Sequence, residues 1–398
     1  MASNISSKGS DDVVSVINVN SDTHETAAEK PARFAFFSSR RLNSHVCRCW
    51  GYELENIVTM MDDAEIITPT YVPPKKSKWE GGFRRVLERS FGIRYFSRPW
   101  KVKPVSGNRN RYEVLFAFCQ EVNDLRHLES FGNWKNSAAI KVCWVDELWL
   151  DYAKAFPKQV DLVRQFDFVF MNFRETADYL RSQGINAIHV PPGVDSLRFS
   201  PYPDPPPRVI DVLSMGRKAQ RTHESLLRET EHGRFYVYDT SNLPNVGSAS
   251  DHRLMMANNI KRAKFFLVQK AKADEPNQTK GQVEVGSRFF EGCAGGSVLI
   301  GDPPDCPTFH EQFDWEDAVI HLPFDAEDVS MLFDPSTFPK ERMEAIHRRN
   351  SIQSLRRHDW AYRWEFVLNE LGLEPSEKLL SRKQQLHQLA DAIESSSH

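Results

Sequence analysis

Short apolar runs, each followed by a polar or amphipathic stretch, recur from residue 33 to about residue 322. The first, Arg33-Phe-Ala-Phe-Phe-Ser38, leads through the polar loop 39–45 into a helix carrying Leu54 and Ile57, and then to 64–68. That is a β-α-β opening. Further strands are predicted at 112–118, 138–145, 166–171 and 187–190, with helical segments such as 175–183 between several of them. A second series follows at 209–215, 234–238, 264–268, 298–300 and 318–322. Near-continuous apolar strands alternating with helices predict sheets covered on both faces. The expected fold class is α/β, with two doubly wound Rossmann-like domains facing a cleft.

Residues 1–31 are rich in Ser, Asp, Asn and Lys without a sustained period and read as a disordered leader. The N-terminal domain is expected over 32–200, where Pro191-Pro-Gly-Val-Asp195 precedes the proline-rich linker 201–208. The C-terminal domain follows over 209–345. Beyond Pro339 the pattern turns helical, with one strongly patterned helix over 354–368 and a polar, loosely attached tail over 376–398.

A length of 398 residues suggests two domains, because single cores rarely grow past about 250–300 residues. With 40% apolar and 26% charged residues and a formal charge of −3, the chain is an ordinary globular protein, too near neutral to suggest a nucleic-acid partner. No run of about 18 apolar residues is long enough to span a membrane, and no apolar signal core opens the chain, so a cytoplasmic location is expected. Six cysteines, with Cys47 and Cys49 one residue apart, lack the second pair a zinc site needs and read as reduced thiols. No metal is expected.

Candidate chemistry concentrates at 285–301. A helix is predicted there to carry Arg288 and Glu291 on one face, one turn apart, before the Gly295-Gly296 break and the buried strand that follows. Gly216, Arg217 and Lys218 close the strand 209–215. There a backbone turn can approach phosphate and a guanidinium can grip two oxygens, or the two cations are simply a solvated strand end. In the first half, Asp146 and Glu147 end the strand 138–145, and strand ends face the cleft in this architecture. Asp146 is a candidate base toward a hydroxyl or else the cap of the next helix. Arg40, Asn43 and His45 are further cleft candidates in the loop after the first strand.

Four patterns, Pro192-Gly-Val-Asp-Ser-Leu-Arg-Phe-Ser-Pro201, Ser214-Met-Gly-Arg-Lys218, the Arg288/Glu291 helix and His358-Asp-Trp-Ala-Tyr-Arg363, together resemble GT-B fold retaining glycosyltransferases. The resemblance is to the family-four type and its spore-maturation-type relatives, and in layout it spans roughly 34–371. It implies a nucleotide-sugar donor, an acceptor hydroxyl on a glycan, lipid-linked or small molecule, retention at the anomeric centre, and neither metal nor other cofactor. Arg217, with Lys218 or Arg221, would stabilise the departing diphosphate. Ser287 and Arg288 would stand beside it, Arg288 touching the diphosphate or else pairing with Glu291 or Glu284. Glu291 would accept the ribose hydroxyls. The family's other glutamate falls at Val283, with Glu284 beside it, so the sugar-reading half is nonstandard. Helices over 346–375, including His358, Trp360, Arg363 and Trp364, would cross back onto the first domain as architecture. Two other readings are a nucleotide-sugar epimerase of the same architecture and a non-catalytic nucleotide-sugar-binding protein.

One stretch lies outside this pattern. From Lys75 to Arg111 there are twelve Lys/Arg and two Glu. Within 75–103, Trp79, Phe83, Val86 and Leu87 share a helical face. The stretch reads as an interfacial helix in peripheral contact with an anionic membrane, or as a solvated surface helix. Basic stretches with aromatics also bind single-stranded nucleic acid, but no recognisable nucleic-acid module accompanies it.

Overall fold

The structure, a computed structural model, describes residues 32–71, 102–103, 112–240 and 245–396. The leader 1–31 and nearly all of the basic stretch 75–103 lie outside the described residues. The first half contains strands β1 Phe34–Phe37, β2 Ala64–Ile67, β3 Thr70–Tyr71, β4 Val102–Lys103, β5 Tyr112–Glu121, β6 Ala138–Glu147, β7 Phe168–Met171 and β8 Ala187–His189. The second half contains β9 Ile210–Ser214, β10 Tyr236–Tyr238, β11 Ala263–Gln269, β12 Val298–Asp302 and β13 Ile320–His321.

Two sheets result, in the orders β2-β1-β5-β6-β7-β8 and β10-β9-β11-β12-β13, and every pairing within them is parallel. The strand residues are buried on both faces: all of Phe34–Phe37, and Val114 through Cys119, are sequestered. That is why the strands read as unbroken apolar runs. The expected α/β class, with two Rossmann-like parallel sheets, is what the chain forms. β3 and β4 make a small antiparallel ribbon apart from both.

In each sheet the chain reverses its direction of winding once, between β1 and β5 and between β9 and β11. The loops leaving those strands part at the reversal, and ligands bind in the crevice this opens. Residues 38–48, 120–124, 215–219 and 269–273 are therefore the places where chemistry is expected.

The C-terminal helices bring the chain back to the first sheet. Trp364 lies against Phe34, Phe36 and Phe116, with ring centroids 5.0, 5.6 and 5.5 Å away. Trp360 stacks on Trp50 at 5.4 Å. A methyl group at Gly193 would stand 2.6 Å from the Trp360 ring, so only glycine lets the 192–195 segment pass so close. Arg382 ties the crossing: it donates to both Asp359 oxygens and to Asp195 Oδ1, each at 2.8 Å.

Two expectations are corrected here. The single helix over 354–368 is two helices, Lys340–Arg357 and Trp360–Glu370, because Asp359 caps the second by accepting from Ala361 N at 2.9 Å. The strand-like bridge of Asp359 to Val194 pulls the backbone out of the helix at that point. Residues 376–398 do not hang loose: Glu377–Ser395 is a helix whose Leu379, Leu386, Ala390 and Ile393 join the first domain's core. Their spacing places a narrow apolar stripe inward on an otherwise polar helix. Leu386→Ala is expected to cost about 2–5 kcal/mol, read as a lower urea midpoint for the full chain.

Candidate active site

The cationic half of the site is built at the ends of β9 and β11 and at the helix Ser287–Ala294. Gly216 turns the chain after β9 with φ +94°, a conformation that suits glycine. Lys218 then reaches across to β10, donating to the Asp239 carbonyl at 2.5 Å with its ammonium 5.0 Å from the Tyr238 ring centroid. Burial, then the charges of Arg288 and Arg253, push the His252 pKa down, so this imidazole is neutral near pH 7. Asp239 also bears on His252. Lys218 is thus anchored beside Asp239, and His252 lies within the electrostatic reach of Arg288 and Asp239.

The acidic half is Asp146, at the end of β6. Its Oδ2 accepts from Gln120 Nε2 and its Oδ1 from Asn172 Nδ2. Asn172 is itself oriented by Trp144, whose indole donates to its Oδ1 at 2.7 Å. Burial of the carboxyl, reinforced by Glu147, raises the Asp146 pKa to about 8 against the pull of the bonds from Asn172, Gln120 and Trp50. The group is therefore largely protonated at pH 7. Gln120 Oε1 is buried and without a partner among the described residues, so rotating that amide presents an acceptor for the proton on Asp146. A carboxyl that takes up and gives off a proton near neutrality is suited to general acid–base work. The alternative role as a helix cap is not the one seen, since Trp149 occupies that position.

The turn 45–49 lies between the halves. Cys47 is pushed up to about 12, by burial first, with Arg48 opposing and Asp146, Glu147 and Glu121 adding to the rise. Cys49 is raised to about 11 by burial, opposed by Arg253 and Arg288. One end of the turn faces the acids and the other the arginines, while both thiols stay protonated.

Several residues proposed from sequence are placed differently. Glu291 is 1% exposed, with Oε1 taken by Arg253 and Oε2 by Arg288. Burial pushes its carboxyl up, but the two guanidiniums outweigh that and hold it at about 2. The ribose-holding role expected of it meets no open carboxylate face. Arg288 makes the anticipated ion pair with Glu291 and keeps 27% of its side chain exposed. Arg217 is paired with Asp274, at 2.6 Å, and Glu275, so its charge is already answered. Arg221 pairs with Glu327 at 2.5 Å. Ser287 opens the helix, in its first turn. Arg40 is bound to Glu55 at 2.5 Å, while His45 accepts from Cys47 N at 3.2 Å, which makes both local struts.

The elements that sequence reasoning missed span the two halves. Arg253 donates to Glu53 from Nε at 2.7 Å and from Nη2 at 3.1 Å, and Glu53 also receives Trp360 Nε1 and Asp195 N, each at 3.0 Å. Glu53–Arg253–Glu291–Arg288 is therefore a buried chain of alternating charge running from the first sheet's helix Cys49–Met61 to the cleft. Lys272 pairs with Glu147, and Gln282 Oε1 accepts from Leu150 N at 2.8 Å. Apart from Arg288–Glu291, none of these pairs had a local signal, since each joins residues distant in the chain.

Among the described residues no group of three or more His, Cys, Asp or Glu is placed to hold a metal ion, and no helix is long and apolar enough to cross a membrane.

No family model matches the chain, and no curated protein does. Among solved structures the chain is similar to the N-terminal domain of trehalose-6-phosphate phosphatase from Candida albicans (TM-score 0.49, 8% identity, 85% of this chain and 96% of that one). It is also similar to Anabaena HepE in complex with UDP-glucose (TM-score 0.43, 9% identity, 86% and 99%). A third is a trehalose 6-phosphate synthase from Burkholderia multivorans (TM-score 0.42, 12% identity, 83% and 82%). At these values the likeness is one of outline, and the function must be read from the side chains.

Proposed function

We propose that this protein is a glycosyltransferase that moves a sugar from a nucleoside-diphosphate donor to an acceptor hydroxyl. One observation carries the reading: Asp146, a carboxyl with a pKa of about 8, ends β6 in the first half, the cations Lys218 and Arg288 stand after β9 and at the start of the helix Ser287–Ala294 in the second, and the Lys272–Glu147 pair joins the two halves beside Asp146. Negative charge grows on the leaving diphosphate as the glycosidic bond breaks. Arg288 and Lys218 would stabilise it, aided by the N–H groups opening the helix Ser287–Ala294. Arg217 would join them by exchanging Asp274 and Glu275 for phosphate. Glu291 holds Arg288 in position rather than touching ribose.

The resemblance favours retention, in which the departing diphosphate takes the acceptor's proton and no metal is needed. The raised Asp146 favours a second course. There the carboxylate takes the proton while the hydroxyl attacks opposite the leaving group, and the centre inverts. NMR of the product's anomeric proton separates the two. Membrane-peripheral attachment through 75–103 remains part of the proposal and is tested by flotation with anionic vesicles.

Incubation with a panel of nucleotide sugars and simple alcohols is expected to release nucleoside diphosphate from one donor. Arg288→Ala should lower that release by about 10²–10³-fold, the usual cost of one charge-stabilising donor. Interconversion of the free donor would identify an epimerase instead, and saturable binding without turnover a sensor.

A further inference from the structure

A second cavity, of about 540 Å³, lies beyond β8 at the far end of the first sheet from β1 and β2. Its walls come from both halves and from the crossing helix: Arg174, Arg181 and His189 on one side, Gln312 opposite, and Arg363 and Phe366 from Trp360–Glu370. The Asp146–Arg288 crevice uses the ends of β6 and β9, so the two places are distinct.

Its charges are unequally answered. Arg363 is 8% exposed, and its three hydrogen bonds go to neutral acceptors: Pro192 O at 3.1 Å, Arg357 O at 3.1 Å and Gln312 Oε1 at 2.8 Å. Asp359, the acid that acts on it, is committed to Arg382 at 2.8 Å. A buried guanidinium hydrogen-bonded only to neutral dipoles is costly unless an anion completes the site. Two of its five N–H groups remain for one. Arg174 pairs with Glu311 through Nη2, but its Nε is buried with no partner among the described residues. The two acids of the wall, Asp178 and Glu311, have side chains 55% and 53% exposed, so water screens them while Arg363 stays dry. The field in the cavity is accordingly positive: burial, then Arg174, Arg363 and Arg181, push the His189 pKa down to about 4. Thr308 Oγ1, 3.3 Å from His189 Nε2, offers no charge against it. At the rim, Phe366 is 39% exposed and Tyr362 stands beside it. These supply an apolar face for the body of a ligand.

We propose that this cavity binds a small phosphomonoester, its dianionic head on Arg363 and Arg174 and its carbon body against Phe366 and Tyr362. Guanidinium forks match phosphate oxygens in pairs, and the volume suits an organic molecule better than a bare ion. Because its walls come from both halves, the bound anion joins them.

The test uses the full chain with phenyl phosphate, inorganic phosphate and neutral phenol, read by calorimetry and thermal shift. Phenyl phosphate is expected to bind saturably and raise Tm, about tenfold more tightly than inorganic phosphate, with phenol silent. Arg363→Gln should weaken binding by tenfold or more. Since that change removes a buried group, Arg174→Gln, at a half-exposed position, is the second variant and should weaken it by several-fold with the fold intact. Equal binding of phosphate and phenyl phosphate overturns the organic ligand. Binding lost in Arg288→Ala but kept in both other variants places the anion in the active-site crevice and overturns the site, as does no binding at millimolar concentration. None of these outcomes depends on glycosyl transfer.

Discussion

Asp146→Asn is expected to lower glycosyl transfer by about 10²–10⁴-fold, the range for removal of a general base, with the fold and donor binding kept. The amide retains the shape between Gln120 and Asn172 but cannot take a proton. In the wild type the base form of Asp146 increases as pH rises through about 8, so kcat should climb over that interval and then level. The variant's residual rate should lack that limb. A loss below about tenfold, with the limb unchanged, would mean that the diphosphate takes the proton and that Asp146 only positions the acceptor. The same group acts on stability in the opposite direction. Its folded pKa lies above the unfolded value, so its contribution is full below about pH 4 and is lost as pH rises through about 8.

Arg253→Ala carries the largest expected effect on stability. It strips the shared partner from two buried carboxylates, Glu53 and Glu291, and leaves a hole beside the Phe199 ring, 4.7 Å from the guanidinium carbon. Breaking a buried pair from one side costs about 3–5 kcal/mol, a fall in Tm on the order of 10 °C for a chain of this size. The triple change Arg253→Met, Glu53→Gln, Glu291→Gln should recover most of the loss, because it removes the charges together. Recovery of stability without recovery of transfer would show that the ion-pair chain also positions Arg288. Acid should act on the same chain. Glu291 is held at about 2, below its unfolded value, so its stabilisation is present above about pH 4.5 and is lost as pH falls through about 2.

The strands were legible because a buried parallel strand has no polar face to keep, and each of the eleven that build the two sheets was anticipated where it forms or within a few residues. The Gly216 turn and the one-turn spacing of Arg288 and Glu291 were legible for the same kind of reason, as local geometry. The break at His358-Asp359 was not, since the apolar pattern continues across it and only the bridge to Val194 interrupts the helix. Nor was the packing of Glu377–Ser395, where a thin stripe of Leu379, Leu386, Ala390 and Ile393 is outnumbered by polar positions. In the site, Asp146 was identified from its place at a strand end, but its raised pKa depends on burial beside Trp50, Gln120 and Asn172.

By itself, then, the sequence determined the two parallel sheets, the glycine turn and the side chains that could reach the crevice, because periodicity and strand-end position are carried by neighbours in the chain. Only the tertiary structure decided which of those side chains are free to act. Arg217 and Glu291 are answered by Asp274, Glu275, Arg253 and Arg288, while Asp146 is desolvated and Arg363 bonds to the neutral acceptors Pro192 O, Arg357 O and Gln312 Oε1. Ion pairing and desolvation depend on what packs across space, and those partners come from elements far along the chain.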